Sequence, residues 1–174
     1  MDEHCPLCES LGGELVWQDA HCRVVQVEGP EQQAFPGFCR VIWSQHCTEM
    51  SELLPRDSRH LLQVVLAVER VLRRLVNPDK INLASLGNVV PHLHWHIIPR
   101  WTDDTHFPAP IWGASRDDVC STDGVAQPSG CAGTAQCAAN SPLRPAPTRK
   151  PVSCATLSVL LADELKDLDK VITP

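Results

Sequence analysis

From residue 92 to residue 98 the chain reads His92-Leu93-His94-Trp95-His96-Ile97-Ile98. Strict alternation of imidazole with bulky apolar side chains is the pattern of a β-strand, in which successive side chains point to opposite faces. As a strand, the segment presents His92, His94 and His96 on one face and packs Leu93, Trp95 and Ile97 on the other. At about 3.3 Å of rise per residue, His92 and His96 are expected roughly 13 Å apart, too far to share one small metal ion. Such a row suits an extended anionic ligand, for example the phosphate chain of a nucleotide, with a separate partner for each imidazole. Three of the eight histidines in 174 residues fall on these alternate positions, which argues against a surface strand carrying incidental histidine.

A chain of 174 residues suffices for one domain with a proper core and hardly for two. The formal net charge of −6 leaves no global field for nucleic acid or an anionic membrane surface, so a phosphorylated ligand requires a local site. No apolar run approaches the roughly 18 residues of a membrane span, and Met1-Asp2-Glu3-His4 lacks the basic start of a signal peptide. The expected location is the cytoplasm. Nine cysteines, an odd number, suit thiols or metal ligands in a reducing compartment better than a full disulfide framework.

Along the chain, Cys5-Pro6-Leu7-Cys8 is a CxxC at the N-terminus. Two thiolates at this spacing provide half of a tetrahedral zinc site or a redox pair, and no second CxxC follows at finger spacing; on spacing alone, metal ligands and ordinary thiols are both open. Strands are expected over Leu15 to Trp17, Cys22 to Val27, Phe38 to Trp43 and Ile81 to Leu86, before the strand His92 to Ile98. A loop is expected from Glu28 to Gly37, and His46 lies just past the third strand. Leu61, Val65, Val68, Leu72 and Leu75 recur at steps of three and four between Pro55 and Val76, the pattern of one long amphipathic helix that Asn77-Pro78 stops. Strands on both sides of a single helix predict an α+β domain with a mainly antiparallel five-stranded sheet under a long covering helix.

The organisation expected from composition is a catalytic domain over 1–113, a disordered segment over 114–154 and one more helix within 155–174. The middle segment is rich in small residues and proline and cannot bury enough apolar surface to offset its ordering entropy. At the end of the first, Pro99 to Gly113 reads as an ordered, irregular strap.

A neutral imidazole can attack phosphorus and form a covalent nucleotidyl-histidine that water then opens. The middle position suits the nucleophile: His94 is held by its strand, and a nearby backbone carbonyl can set its tautomer by accepting the proton of the other ring nitrogen. His96 is then placed to bind the scissile phosphate or protonate the leaving group.

At these residues the chain resembles the histidine triad family of nucleotide hydrolases and transferases, whose signature is His-x-His-x-His followed by apolar residues. The resemblance extends over roughly residues 5 to 113 and includes Asn82 and Gly87 ahead of the triad. It implies a homodimer, a central nucleophile at His94 with His92 and His96 as its triad partners, and a substrate with a phosphoanhydride or phosphoramidate bond, such as diadenosine tetraphosphate. It also implies substrate contacts from Asn82, Gly87 and Asn88. Several bacterial relatives hold a structural zinc, and the corresponding ligands here are Cys5, Cys8, His46 and His92, a closed tetrahedral set. One departure stands out. Where many members have Gly-Gln followed by Ser or Thr, this chain has Gly87-Asn88-Val89, so a hydroxyl is absent and leaving-group protonation falls to His96 or to water. The competing expectation is a non-catalytic nucleotide-binding or sensing module with a structural zinc.

Overall fold

The segments read as strands form β1 (Glu14–Gln18), β2 (Cys22–Gln26), β3 (Cys39–Trp43), β4 (Lys80–Ser85) and β5 (His94–Arg100) in the computed structural model, which describes residues 4–116 and 149–166. They make one five-stranded sheet in the order β1-β2-β3-β5-β4, with every neighbouring pair antiparallel. This is the α+β architecture expected. Among the described residues four α-helices accompany it: α1 (Pro6–Glu9), α2 (Pro30–Ala34), α3 (Pro55–Val76) and α4 (Cys154–Leu165). Helix α2 corrects the expectation of a plain loop between Glu28 and Gly37. Gly29 takes a φ of +79° ahead of Pro30 at the first helical turn, and Phe35 closes the short run of helix formers.

Helix α3 has the predicted limits, with Asn77 as its left-handed cap at φ 44°. Its buried stripe includes Leu61, Val65, Val68 and Leu72 and packs on Val24, Val41, Leu93 and Ile97 of the sheet side. Helix α4 lies against α3 and β1, burying Leu157, Leu161 and Leu165. Two arginines of α3 help to hold it: Arg70 and Arg74 each meet a carboxylate oxygen of Glu164 at 2.6 Å. Those two contacts push the Glu164 pKa below the usual carboxylate value.

The β1–β2 hairpin is closed by Asp19. One of its carboxylate oxygens accepts the backbone N–H groups of His21 and Cys22, each at 2.7 Å, and the other meets His60 Nε2 of α3, also at 2.7 Å. The hairpin is thereby tied to the covering helix.

The chain divides into two compact units, Met1–Trp101 with Arg149–Pro174, and Thr102–Thr148. In the second, the described residues form turns, with the Asp104 carboxylate accepting the N–H groups of His106 and Phe107 at 2.9 and 2.7 Å. The disorder expected over 114–154 falls mostly on residues 117–148, which lie outside the described residues. Of its remainder, Val152 is buried and its carbonyl accepts Gln26 Nε2 at 3.1 Å, and Cys154 opens α4. The end of the segment 155–174, where one more helix is expected, lies outside the described residues from 167 onward. No helix among the described residues is long and apolar enough to cross a membrane.

Candidate functional site

Strand β5 begins at His94, so the expectation that all three imidazoles share one strand needs correction. The His92 N–H donates to the Val90 carbonyl at 2.8 Å across Pro91, a tight turn that bends the chain just before the ladder with β3 resumes. His94 and His96 remain on one face with ring centroids 4.8 Å apart, whereas His92 turns away toward the N-terminal segment. The roughly 13 Å spacing of a fully extended His92–His96 pair therefore does not apply. The apolar half of the alternation is as expected: Leu93, Trp95 and Ile97 lie on the α3 side.

The turn brings His92 into a four-residue cluster. Cys5, Cys8, His46 and His92 each offer one ligand atom, and these atoms all lie within 4.8 Å of one another. His92 Nδ1 is 3.4 Å from both thiol sulfurs, and His46 Nδ1 is 3.4 Å from Cys8 Sγ. Zinc–sulfur and zinc–nitrogen bonds of about 2.3 and 2.0 Å at a tetrahedral angle give sulfur–nitrogen edges of roughly 3.5 Å, so the donor set fits that ion. The other ring nitrogen of His92 donates to the Trp43 carbonyl at 2.7 Å, which orients the ring for ligation through Nδ1. Burial holds the His92 pKa below the ordinary imidazole range, with the Trp43 contact acting in the opposite sense.

Glycine allows the N-terminal segment to approach. Gly12 and Gly13 have φ of +82° and +153°, and a Cβ on Gly13 would stand 2.4 Å from the Gln26 carbonyl oxygen. This approach seats Leu7 and Cys5 on Val25 and Ile42, on the face of the sheet opposite α3. His46 arrives from the end of β3, its ring 5.2 Å from that of His92.

On the same face, His94 Nδ1 donates to the His92 carbonyl at 2.6 Å. That bond places the proton on Nδ1 and leaves the lone pair on Nε2. Burial lowers the pKa of His94 most, the carbonyl opposes this, and the charge of Arg40 lowers it further. For His96, burial, His94 and Arg40 together push the pKa down to about 3. Both rings are neutral near pH 7, as a nitrogen nucleophile requires.

Two residues that the sequence reading passed over belong to this face. Arg40 on β3 pairs in register with His96. Arg100 at the end of β5 is 1% exposed, donates to Asn82 Oδ1 at 2.8 Å and lies over the Phe35 ring at 5.6 Å. Asn82, expected at a phosphate or ribose, thus has a side-chain partner in the chain itself. The register that reveals Arg40 follows from strand pairing, which no local motif announces. Gly87, Asn88 and Val89 lie in the turn between β4 and β5, half-buried, exposed and 92% exposed respectively. Among the described residues a Cβ at Gly87 would meet only the Val90 carbonyl, at 3.9 Å.

Comparison with known proteins agrees with this geometry. A histidine triad protein from Bradyrhizobium japonicum superposes with a TM-score of 0.55 at 29% identity, covering 63% of this chain and 78% of that one. One from Marinobacter aquaeolei, at 21% identity, shares the fold with a TM-score of 0.54 and covers 94% of this chain and 93% of its own. In sequence, the AP-4-A phosphorylase of Mycobacterium tuberculosis is 27% identical over 85 residues. The match takes in 45% of this chain and only 44% of that relative. The sequence profile of the HIT domain matches residues 13–103. Because that match runs from just before β1 to just past β5 and so takes in every strand of the sheet, this chain belongs to the HIT domain family.

Proposed function

We propose that this protein hydrolyses a nucleotidyl phosphoanhydride, with dinucleoside polyphosphates such as diadenosine tetraphosphate as the leading class, through nucleophilic attack by His94. The observation that carries this reading is the His94 Nδ1 contact to the His92 carbonyl, which leaves Nε2 as the only nucleophilic atom of a neutral ring. Nε2 forms a bond to phosphorus as the P–O bond to the remaining phosphate chain breaks, and that chain leaves with the electron pair. Water then attacks the nucleotidyl-histidine, its oxygen going to phosphorus, one proton to solvent, and the imidazole regaining its lone pair.

The surroundings favour an anhydride over a phosphoramidate. An amine leaving group must be protonated as it departs, whereas a phosphate chain leaves near neutral pH without a proton, since its terminal ionisation lies at about 6. Val89 offers no hydroxyl, and His96, held at about 3, carries no spare proton at pH 7. Its neutral ring serves as a hydrogen-bond partner for the phosphate. Turnover of diadenosine tetraphosphate is expected to exceed that of an adenosine phosphoramidate by about 10²-fold or more in kcat/KM, the scale of one missing general acid. A preference for the phosphoramidate would refute this assignment.

The relative that matches in sequence is named a phosphorylase, so the acceptor in the second step is itself a test. Water releases AMP from an adenylyl-histidine, and inorganic phosphate releases ADP; product analysis with and without phosphate separates the two. Binding of diadenosine tetraphosphate with neither product would support the non-catalytic module.

The cluster of Cys5, Cys8, His46 and His92 supports a structural zinc, since a closed Cys₂His₂ set leaves no position for substrate. When bound, the ion supplies a cross-link between the N-terminal segment, the end of β3 and the turn before β5. Asn82 positions Arg100, while Gly87 and Asn88 offer backbone and amide groups beside the site. A homodimer is also proposed. Strand β4 is an edge, and Leu62, Leu66, Leu83 and Leu86 are 40, 43, 37 and 42% exposed on or beside it and on α3. Light scattering is expected to give twice the chain mass, and Leu83→Glu to give a folded monomer; a monomeric parent chain would refute the assembly.

A further inference from the structure

We propose that Arg40 is a substrate-binding residue that grips the phosphate placed between His94 and His96; this rests on the reading of the site as a nucleotide hydrolase. Nothing in the triad signature includes Arg40, and its place comes from strand register. On β3 it pairs directly with His96, while Ile42 pairs with His94, so the guanidinium rises from the imidazole face beside both rings. Directly opposed side chains start about 5 Å apart at Cβ, and arginine is long enough to cover either neighbour. The side chain is 25% exposed, open on one side and walled on the other.

The protein holds this cation loosely. Arg40 Nη1 donates to the Gly12 carbonyl at 3.4 Å, Nη2 stands 3.5 Å from Glu31 Oε2, and the guanidinium lies over the Phe38 ring at 5.7 Å from its centroid. Both hydrogen bonds are at the long limit, and the buried Nε–H has no partner. A guanidinium with an unanswered N–H and two stretched contacts, set beside two imidazoles, leaves donors for anionic oxygens in the planar fork that suits phosphate. A phosphate there needs a fixed cation, and of the two arginines on this face Arg40 is the one directly opposite His96, while Arg100 is held by Asn82.

Glu31 of α2 completes the arrangement. Among the described residues it is the one anionic partner that Arg40 meets, and it is 43% exposed. Phosphate oxygens displace a weak exposed partner at little cost. Ligand entry is therefore expected to release Glu31 and draw the guanidinium toward phosphate.

Calorimetric titration of the full chain with adenosine, AMP and ADP tests the assignment, using Arg40→Gln and Arg40→Lys beside the parent. Arg40→Gln is expected to weaken AMP and ADP by about 10- to 100-fold, the scale of one charge-assisted contact, and to leave adenosine within about twofold. Arg40→Lys keeps the charge but loses the fork, and is expected to fall between the two. Thermal melting of each variant shows whether the fold persists, since a general loss of structure weakens adenosine as well. Equal losses for adenosine and AMP, or AMP affinity unchanged in Arg40→Gln, would overturn the role of Arg40 while leaving the hydrolase reading intact. A parent chain that binds no adenine nucleotide overturns both.

Discussion

Substitution of His94 by alanine is expected to lower kcat/KM for diadenosine tetraphosphate by about 10³-fold or more, because it removes the atom that forms the covalent bond to phosphorus. AMP binding is expected to change far less, since His96 and Arg40 remain on the same face. The melting temperature should move little. His94 contributes to the sheet through its backbone, and among the described residues its side chain makes one hydrogen bond, to the His92 carbonyl two residues away. Rapid quenching of the parent chain with labelled substrate should trap one nucleotide per chain on His94, with none on the variant. Turnover within tenfold of the parent, or a label on another residue, would remove the proposed mechanism.

Loss of the ion at the Cys5–Cys8–His46–His92 cluster is expected to have the second large effect. The parent chain should carry about one zinc, and Cys8→Ser should lose it and melt well below the parent, because structural zinc contributes several kcal/mol to folding. Cys8 is the informative position. It is exposed, so serine in its place sacrifices little packing, and a large loss of stability must come from coordination. In excess chelator the two proteins should melt together. Activity is expected to fall with the metal, because His92 links the cluster to the catalytic strand: its ring faces the thiols while its carbonyl holds His94 Nδ1. A parent chain without zinc after refolding in its presence, or a Cys8→Ser chain that melts like the parent, would rule out the structural ion.

These expectations share one residue, and His92 also shows where reading the sequence reached and where it stopped. Alternation from 92 to 98 was legible as a strand because the period-two pattern is local and each side chain answers to its own backbone position. The turn that takes His92 out of that strand was not, since it depends on the Val90 carbonyl and on long-range bonds from Leu93 to Cys47 and from Trp43 to Leu93. Helix α3 was legible to the residue for the same local reason: a proline opens it, an apolar stripe runs through it, and Asn77-Pro78 ends it. Helix α2 was missed because Pro30 and the flanking glycines looked like loop chemistry, and five residues are too few for periodicity to register.

The sequence by itself determined the fold class, the strand bearing His94 and His96, the long covering helix and the four residues that meet as a metal-ligand set. The first three are carried by periodicity, whereas the four ligand positions follow from the resemblance to the histidine triad family, since the CxxC spacing alone left metal ligands and ordinary thiols open. Tertiary structure alone decided that His92 leaves the imidazole row, that Arg40 stands beside His96, that Arg100 is buried against Asn82, and that Glu164 clamps the last helix to α3. Those relations join residues 18 to 94 positions apart or depend on the register between strands. Register and long-range pairing are set by packing the whole core at once, and no local pattern encodes them.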